Sequence, residues 1–261
     1  MVKMFPLFSS SSGNSTYIGD ENSGILIDAG VSCKRIVTAL ADRGIESKAV
    51  QAVFITHTHS DHITGLKVLA KKLGVPVCSL RGNLEILARN DKVSAASDLI
   101  EMDDRPVQIC GFEVTAFDTP HDTPVSCGFR LTAPDGKNCA VCTDLGHVTA
   151  DIHAELARCR LVLLESNYDP KMLKNSPYPP DLRSRIASDH GHLSNPDCGK
   201  ELARLVKEGV YSFVLGHISP HNNTPELAEK CALGALADFE RGDDYLLSVA
   251  GIEGLKRAVL F

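Results

Sequence analysis

The sequence contains the run HTHSDH at positions 57–62, one residue after the apolar segment 53–55. Side chains two residues apart point the same way along an extended chain, so His57 and His59 are expected on one side of a strand end. Asp61 and His62 then fall in the turn into a following helical pattern. Four candidate ligands at the C-terminal end of a strand predict a metal site, because α/β sheets place their sites at that edge. A solvated polar turn is the alternative interpretation.

One loop cannot complete two metal coordination spheres, so the run needs partners elsewhere in the chain. His121, Asp144 and His217 qualify, because each is a polar residue at the end of an apolar segment and lies close to a Gly or Pro. All these candidate ligands offer nitrogen or oxygen. Such a set suits zinc or manganese and leaves iron or nickel open.

This order of motifs resembles the metallo-β-lactamase superfamily over nearly the whole chain. The matching positions are Asp28, the run at 57–62, His121, Asp144 and His217. Shorter stretches resemble the YycJ/WalJ/VicX-type subfamily of bacterial metal-dependent exonuclease-like proteins. These stretches are SSGNS at 11–15, ESNYD at 165–169, GHLSN at 191–195 and NNTPE at 222–226.

The resemblance implies a site for two divalent metal ions. By this resemblance, His57, His59 and His121 hold one ion, Asp61, His62 and His217 hold the other, and Asp144 bridges the two. The implied reaction is hydrolysis of a phosphodiester by a hydroxide shared between the ions, with DNA as the expected substrate and an exonuclease as the expected enzyme. Asp61 and His192 are the expected catalytic residues. Asp28 is expected to orient a ligand, with a turn-stabilising role as the alternative.

Residues outside the metal cluster are assigned to the substrate. His192 lies just ahead of a helix start, where the resemblance implies a proton donor to the leaving oxygen; a helix-capping loop histidine is the alternative. Ser12 and Asn14, in a polar loop between strands, are expected to contact phosphate unless the loop is a plain turn. Arg183 and Arg185 lie in a locally basic segment and are expected to contact a nucleic-acid backbone unless they form a solvated face.

Composition limits the classes of protein that this chain can be. Its 261 residues carry a formal net charge of −6, with 43% hydrophobic and 23% charged residues. This balance is typical of a folded globular protein and argues against a broad basic surface for nucleic acid. Two divalent ions held by two aspartates nevertheless predict a locally positive site.

The sequence predicts a cytoplasmic protein without a membrane partner. It contains no apolar run near the roughly 20 residues of a membrane span and no signal-peptide pattern. The nine scattered cysteines are then expected to be reduced, buried thiols. The pattern does not predict an oligomeric state.

Short apolar segments alternate with helical patterns, which predicts sheets covered by helices. Segments 107–110 and 113–117 flank Gly111 and predict a hairpin, hence mixed sheets. Two helices are expected to begin at Asn195-Pro196 and Thr224-Pro225, with the polar residue as N-cap. Together with the resemblance, these patterns predict one domain over residues 1–261. We expect an αβ/βα four-layer sandwich of two mixed β-sheets, with the site at one edge.

Two other functions stay open at this point. A small-molecule acyl hydrolase of the same superfamily, a thioesterase or a lactonase, uses the same metal chemistry on an acyl carbon. A non-catalytic metal-binding regulatory module is the third hypothesis, because fold does not determine function. A tRNA 3′-processing enzyme or a β-CASP nuclease is disfavoured, because the spacings from His121 to Asp144 and from Asp144 to His217 leave no room for their additional segments.

Overall fold

The computed structural model describes residues 2–103 and 105–261. The strands of these residues are β1 (Lys3–Ser10), β2 (Gly13–Gly19), β3 (Gly24–Ile27), β4 (Val50–Phe54), β5 (Val77–Ser79), β6 (Leu99–Glu101), β7 (Val107–Ile109), β8 (Phe112–Asp118), β9 (Cys127–Thr132), β10 (Asn138–Cys142), β11 (Leu161–Glu165), β12 (Ser212–Gly216), β13 (Leu246–Val249) and β14 (Val259–Leu260). The α-helices are α1 (Cys33–Ala41), α2 (Ser60–Ile63), α3 (Leu66–Leu73), α4 (Arg81–Arg89), α5 (Ala150–Leu156), α6 (Pro170–Asn175), α7 (Pro180–Ile186), α8 (Asn195–Lys207) and α9 (Pro225–Ala235).

The strands form two seven-stranded sheets. The first has the order β14-β1-β2-β3-β4-β5-β6 and the second the order β13-β12-β11-β10-β9-β8-β7. Both are mixed: β1 pairs with β2 antiparallel and β3 with β4 parallel, while β8 pairs with β9 antiparallel and β10 with β11 parallel. The predicted hairpin is present as β7 and β8, with Val107 opposite Val114. The predicted pair of mixed sheets is therefore confirmed.

Apolar side chains on both faces of each sheet build four layers. In β3, Ile25 and Ile27 face the layer between the two sheets, whereas Leu26 faces the helices, as the alternation of a strand requires. Phe54 of the first sheet meets Phe129 of the second edge-to-face, with ring centroids 5.6 Å apart. Helices α1, α3 and α4 cover the outer face of the first sheet, and α5, α8 and α9 cover that of the second. This is the expected αβ/βα sandwich.

The C-terminal ends of the parallel strands meet at one edge of the sandwich, and polar residues follow these ends. Asp28 follows β3, His57 follows β4, Asp144 follows β10 and His217 follows β12. Asp28, Asp144 and His217 have positive φ angles of 62°, 61° and 53°. A left-handed backbone is unusual for residues with a side chain and is held by the surrounding structure, commonly at functional sites.

The helix caps and the state of the cysteines agree with the predictions from the sequence, except at one helix. Thr224 caps α9 and Pro225 follows it, as predicted. The predicted N-cap at Asn195 is wrong by one residue: Ser194 is the cap of α8, because its hydroxyl accepts from the Asp197 N–H. The nine cysteines are free thiols, and seven are buried. Over the described residues, we find no helix with both the length and the apolar character needed to cross a membrane.

Candidate metal centre

Seven histidine and aspartate side chains from four strand ends meet in one cluster. Three groups consist of these residues alone, and a fourth joins Asp144 and His217 to Glu165 and His192; within each group the ligand atoms lie within 4.8 Å of one another. The first three groups are His57, His59 and His121; Asp61, His62 and His217; and His57, His62 and Asp144. All seven residues singled out in the sequence are therefore brought together. Which ion each of them binds stays a prediction.

Backbone hydrogen bonds lock the loops that carry this cluster. Helix α2 carries Asp61 and His62 and begins directly after His59. The Ala29 N–H donates to the His62 carbonyl at 2.8 Å, which ties the loop after β3 to this helix. The Gly146 N–H donates to the Pro120 carbonyl at 3.0 Å, which ties the loop of Asp144 to that of His121. Segments distant in sequence thus hold the ligand atoms in place.

Three buried ligand atoms of the cluster have no hydrogen-bond partner among the described residues. They are His57 Nε2, Asp144 Oδ2 and His217 Nε2. Buried polar atoms are nearly always paired, because leaving one unpaired costs free energy. Divalent cations accept lone pairs from imidazole and carboxylate groups, so bound metal ions would satisfy these atoms. The residues present therefore fit a metal centre.

The other ring nitrogen of three of the histidines contacts an oxygen that fixes its proton. His62 Nδ1 lies 2.8 Å from Asp28 Oδ2, and His121 Nδ1 lies 3.0 Å from the Gly191 carbonyl. His217 Nδ1 lies 2.6 Å from Glu165 Oε1. A proton on Nδ1 leaves the Nε2 lone pair for a cation, which is how buried metal-binding histidines are usually oriented.

Asp28 makes hydrogen bonds to two residues that precede or belong to the cluster. It is buried, and besides His62 it accepts from the Thr56 N–H at 2.9 Å and from the Thr56 hydroxyl. These bonds hold the start of the HTHSDH loop against β3. Their geometry corresponds to the orienting role expected from the resemblance.

Glu165 is a residue of the site that the sequence interpretation missed. It is fully buried at the end of β11, and its Oε2 accepts from the Leu145 and Leu193 N–H groups at 3.1 and 3.0 Å. Its Oε1 accepts from His217 Nδ1 and from His192 Nδ1, the latter at 2.8 Å. An available signal was its position at the end of an apolar strand, as for Asp144.

Burial and neighbouring charges set the protonation of the cluster. Burial, with the nearby His62, holds the pKa of His57 well below its usual value, so this imidazole is neutral. Burial would raise the pKa of Asp144, but His217 and His62 outweigh it and hold that pKa well below the ordinary range. A neutral imidazole and an ionised carboxylate are the forms that bind metal.

Two histidines keep their protons in the metal-free cluster. Burial alone would lower the pKa of His217, but Asp144, Asp61 and Glu165 raise it to about 10. The carboxylates of Asp144 and Asp28 likewise raise the pKa of His62 against the effect of burial. A bound cation takes the place of these protons, so metal binding releases protons.

A cavity of about 380 Å³ opens onto the cluster. Its walls include Ser12, Arg185 and His192, three of the residues assigned to substrate or catalysis from the sequence. A larger groove of about 620 Å³ lies between α1 and the C-terminal segment, and its lining holds none of the clustered histidines or aspartates.

Two of the expected substrate contacts lie elsewhere. Asn14 is buried beneath the cluster, with its side-chain amide nitrogen 3.0 Å from His62 Nε2, and is not part of the cavity lining. Arg183 donates to the Lys174 carbonyl at 2.6 Å and lines a different cavity. Arg185 donates through Nε to Asp122. Ser12 and Arg185 are thus the members of this set that face the cavity.

An αβ/βα sandwich with such a cluster at one edge defines the metallo-β-lactamase fold. The family described as "Beta-lactamase superfamily domain" matches residues 24–218. The structure is similar to the metallo-beta-lactamase fold protein YhfI from Bacillus subtilis, with a TM-score of 0.72, 17% identity and 97% and 98% coverage of the two chains.

Two curated relatives are more similar in sequence. The exodeoxyribonuclease WalJ of Streptococcus pneumoniae serotype 2 (strain D39) is 32% identical over 239 residues, 90% of this chain and 88% of that protein. The exodeoxyribonuclease YycJ of Bacillus anthracis is 30% identical over 234 residues, 85% and 84% of the two chains. The chain belongs to the beta-lactamase superfamily, and within it to the family of WalJ and YycJ. Family and cluster together support the binding of divalent metal ions.

Proposed function

We propose that this protein is a dinuclear-metal-dependent phosphodiesterase that degrades DNA from an end. The observation that carries the proposal is the cluster of seven ligand side chains, with buried unpaired ligand atoms, at the base of a cavity. The relatives named exodeoxyribonucleases support DNA as the substrate. We propose a single domain over the whole chain that acts in the cytoplasm.

The ligands divide into two sets in this proposal. His57, His59 and His121 would hold one ion, Asp61, His62 and His217 the other, and Asp144 would lie between them. Zinc or manganese suits these nitrogen and oxygen donors, and iron or nickel is compatible with them. Two bound divalent ions supply activation of water near neutral pH and a positive site for phosphate oxygens.

His192 is proposed to give a proton to the leaving oxygen. Its Nδ1 contacts Glu165, so Nε2 is the nitrogen that remains for substrate, and the side chain lines the cavity. Burial would lower the pKa of His192, but Glu165 raises it above its usual value. The imidazole therefore keeps its proton to a higher pH, as a general acid near neutrality requires.

Arg185 and Ser12 are proposed to bind the phosphate backbone at the cavity wall. Only Nε of Arg185 is engaged in the described part of the chain, so its terminal nitrogens are available for an anion. The Ser12 hydroxyl is a donor of the kind that commonly contacts phosphate oxygens.

The test uses metal-depleted protein reloaded with Zn²⁺ or Mn²⁺ and end-labelled single- and double-stranded DNA. We expect cleavage that needs metal and releases label from one end. Asp144→Asn should abolish cleavage, and His192→Gln should slow it by about 10²–10⁴-fold, the usual contribution of a general acid. A protein that takes up metal but cleaves neither DNA nor bis-p-nitrophenyl phosphate, while hydrolysing a thioester or a lactone, would refute the proposal.

A further inference from the structure

The cavity above the metal cluster has an apolar part that the proposed chemistry does not use. Its lining includes Tyr178, Leu182 and Ile186 from the segment around α7, and Pro220 and His221 from the loop after β12. These five residues are called the apolar wall below. Hydrolysis of a phosphodiester requires none of them, so their presence beside the site needs another explanation.

Helix α7 turns its apolar residues into the cavity and not into the protein core. It contains no buried residue. Leu182 and Ile186 are one helical turn apart and both line the cavity, so they share a face. Both side chains are half-buried, and a half-buried apolar face that lines a cavity beside a charged site is typical of a surface that a ligand covers.

Two aromatic rings belong to the same wall. The rings of Tyr178 and His221 contact each other edge-to-face, with centroids 6.0 Å apart and planes at 65°. Aromatic side chains are the common platforms for nucleobases, because every base offers a π-face whatever its identity. A wall of this kind suits an enzyme that must accept all four bases.

The positively charged side chain of Arg185 is linked to the metal cluster through Asp122. Arg185 is on the same face of α7 as Leu182 and Ile186, and its Nε donates to Asp122. Asp122 Oδ1 in turn lies 3.5 Å from His121 Nε2. The same cavity is therefore lined by a positively charged part, formed by Arg185 and the metal cluster, and by the apolar wall. The first suits the phosphate of one nucleotide and the second suits its base.

We propose that the apolar wall is the binding site for the base of the terminal nucleotide, with its phosphate between Arg185 and the cluster. This inference rests on the proposed function and deepens it. The cavity volume of about 380 Å³ is at the small end of ligand sites, about 300–1,000 Å³, and is far too small for a duplex. A cavity of this size accommodates one nucleotide at the end of a strand.

The test compares Tyr178→Ala, the conservative variant Tyr178→Phe and the control Tyr211→Ala, a tyrosine outside the cavity lining. Binding of dAMP and of deoxyribose 5-phosphate to the metal-loaded proteins is measured by calorimetry. Loss of one stacked base contact corresponds to about 5- to 150-fold weaker binding. We expect such a loss for dAMP with Tyr178→Ala only, and no change for deoxyribose 5-phosphate with any variant.

A kinetic arm separates this inference from the proposed function. On DNA, Tyr178→Ala should raise KM with little change in kcat, and a terminal abasic nucleotide should have the same effect on the wild type. With bis-p-nitrophenyl phosphate, whose aromatic rings can also stack on the wall, kcat should likewise change little, because the wall takes no part in hydrolysis. Equal binding of dAMP by wild type and Tyr178→Ala overturns the apolar wall as a base site. If the wild-type protein cleaves neither DNA nor bis-p-nitrophenyl phosphate, the proposed function is overturned. The calorimetry with dAMP still tests the base site in that case.

Discussion

Replacing Glu165 with Gln tests whether one buried carboxylate organises the metal centre. Its two oxygens accept four hydrogen bonds, two from backbone N–H groups and two from His192 and His217. A glutamine has the same shape but one carbonyl oxygen, so its NH₂ group must face one of these two pairs of donors. Two donors then lose their acceptor whichever way the amide is oriented.

One orientation of the amide lowers the stability of the protein, and the other lowers its affinity for metal. If the NH₂ group faces the backbone, two buried N–H groups are unsatisfied, at about 1–3 kcal/mol each. If the NH₂ group faces the imidazoles, His217 Nδ1 can accept a hydrogen bond from it only when the ring proton moves to Nε2. Nε2 is the nitrogen proposed to bind metal, and a protonated Nε2 has no lone pair for it. Loss of such an orienting partner typically lowers metal affinity 10–100-fold, which is about 1.4–2.8 kcal/mol.

The assay titrates metal-depleted protein with Zn²⁺ in competition with a chelating dye and follows thermal unfolding in parallel. Glu201→Gln is the matched control, because Glu201 is also buried and its carboxylate lies 2.5 Å from a histidine nitrogen, His153 Nδ1. Neither residue belongs to the metal cluster. We expect Glu165→Gln to lose metal affinity, stability or both, and Glu201→Gln to lose stability alone. A Glu165→Gln protein with wild-type metal affinity and wild-type melting temperature would refute the role of this carboxylate.

Three further outcomes are expected. Gly30→Ala should weaken metal binding or destabilise the protein, because a Cβ there would lie 1.6 Å from the Asp61 carbonyl oxygen; Gly234→Ala, where nothing lies within 4 Å of the added Cβ, is the comparison for space alone. Burial would lower the pKa of His153, but Glu201 and Glu208 raise it above 6.5. The contact with His153 therefore stabilises fully below about pH 6.5 and is lost as pH rises through the raised pKa. The difference in melting temperature between wild type and Glu201→Gln should then shrink at alkaline pH to the part that comes from Arg204, which also contacts Glu201. Chelation should lower the melting temperature and Mn²⁺ or Zn²⁺ should restore it; an unchanged curve in excess chelator would argue against a bound metal.

The residues of the metal cluster could be predicted from the amino-acid sequence. The run at 57–62, His121, Asp144 and His217 each follow a short apolar segment, and local patterns of this kind are visible along a chain. Parallel strands bring their C-terminal ends to one edge, so strand-end residues converge once the fold class is known. The hairpin of β7 and β8 and the cap at Thr224 are likewise local features.

Which other side chains reach the site depends on packing between segments that are distant in the sequence. Glu165 contacts His192 and His217, 27 and 52 residues away, and no local spacing encodes such pairs. Arg183 and Arg185 look alike in sequence, yet residues two apart on a helix point about 200° apart, so the rotation of α7 turns only Arg185 towards the cavity. The apolar wall arises for the same reason, because its members come from two loops and a helix that only packing places side by side.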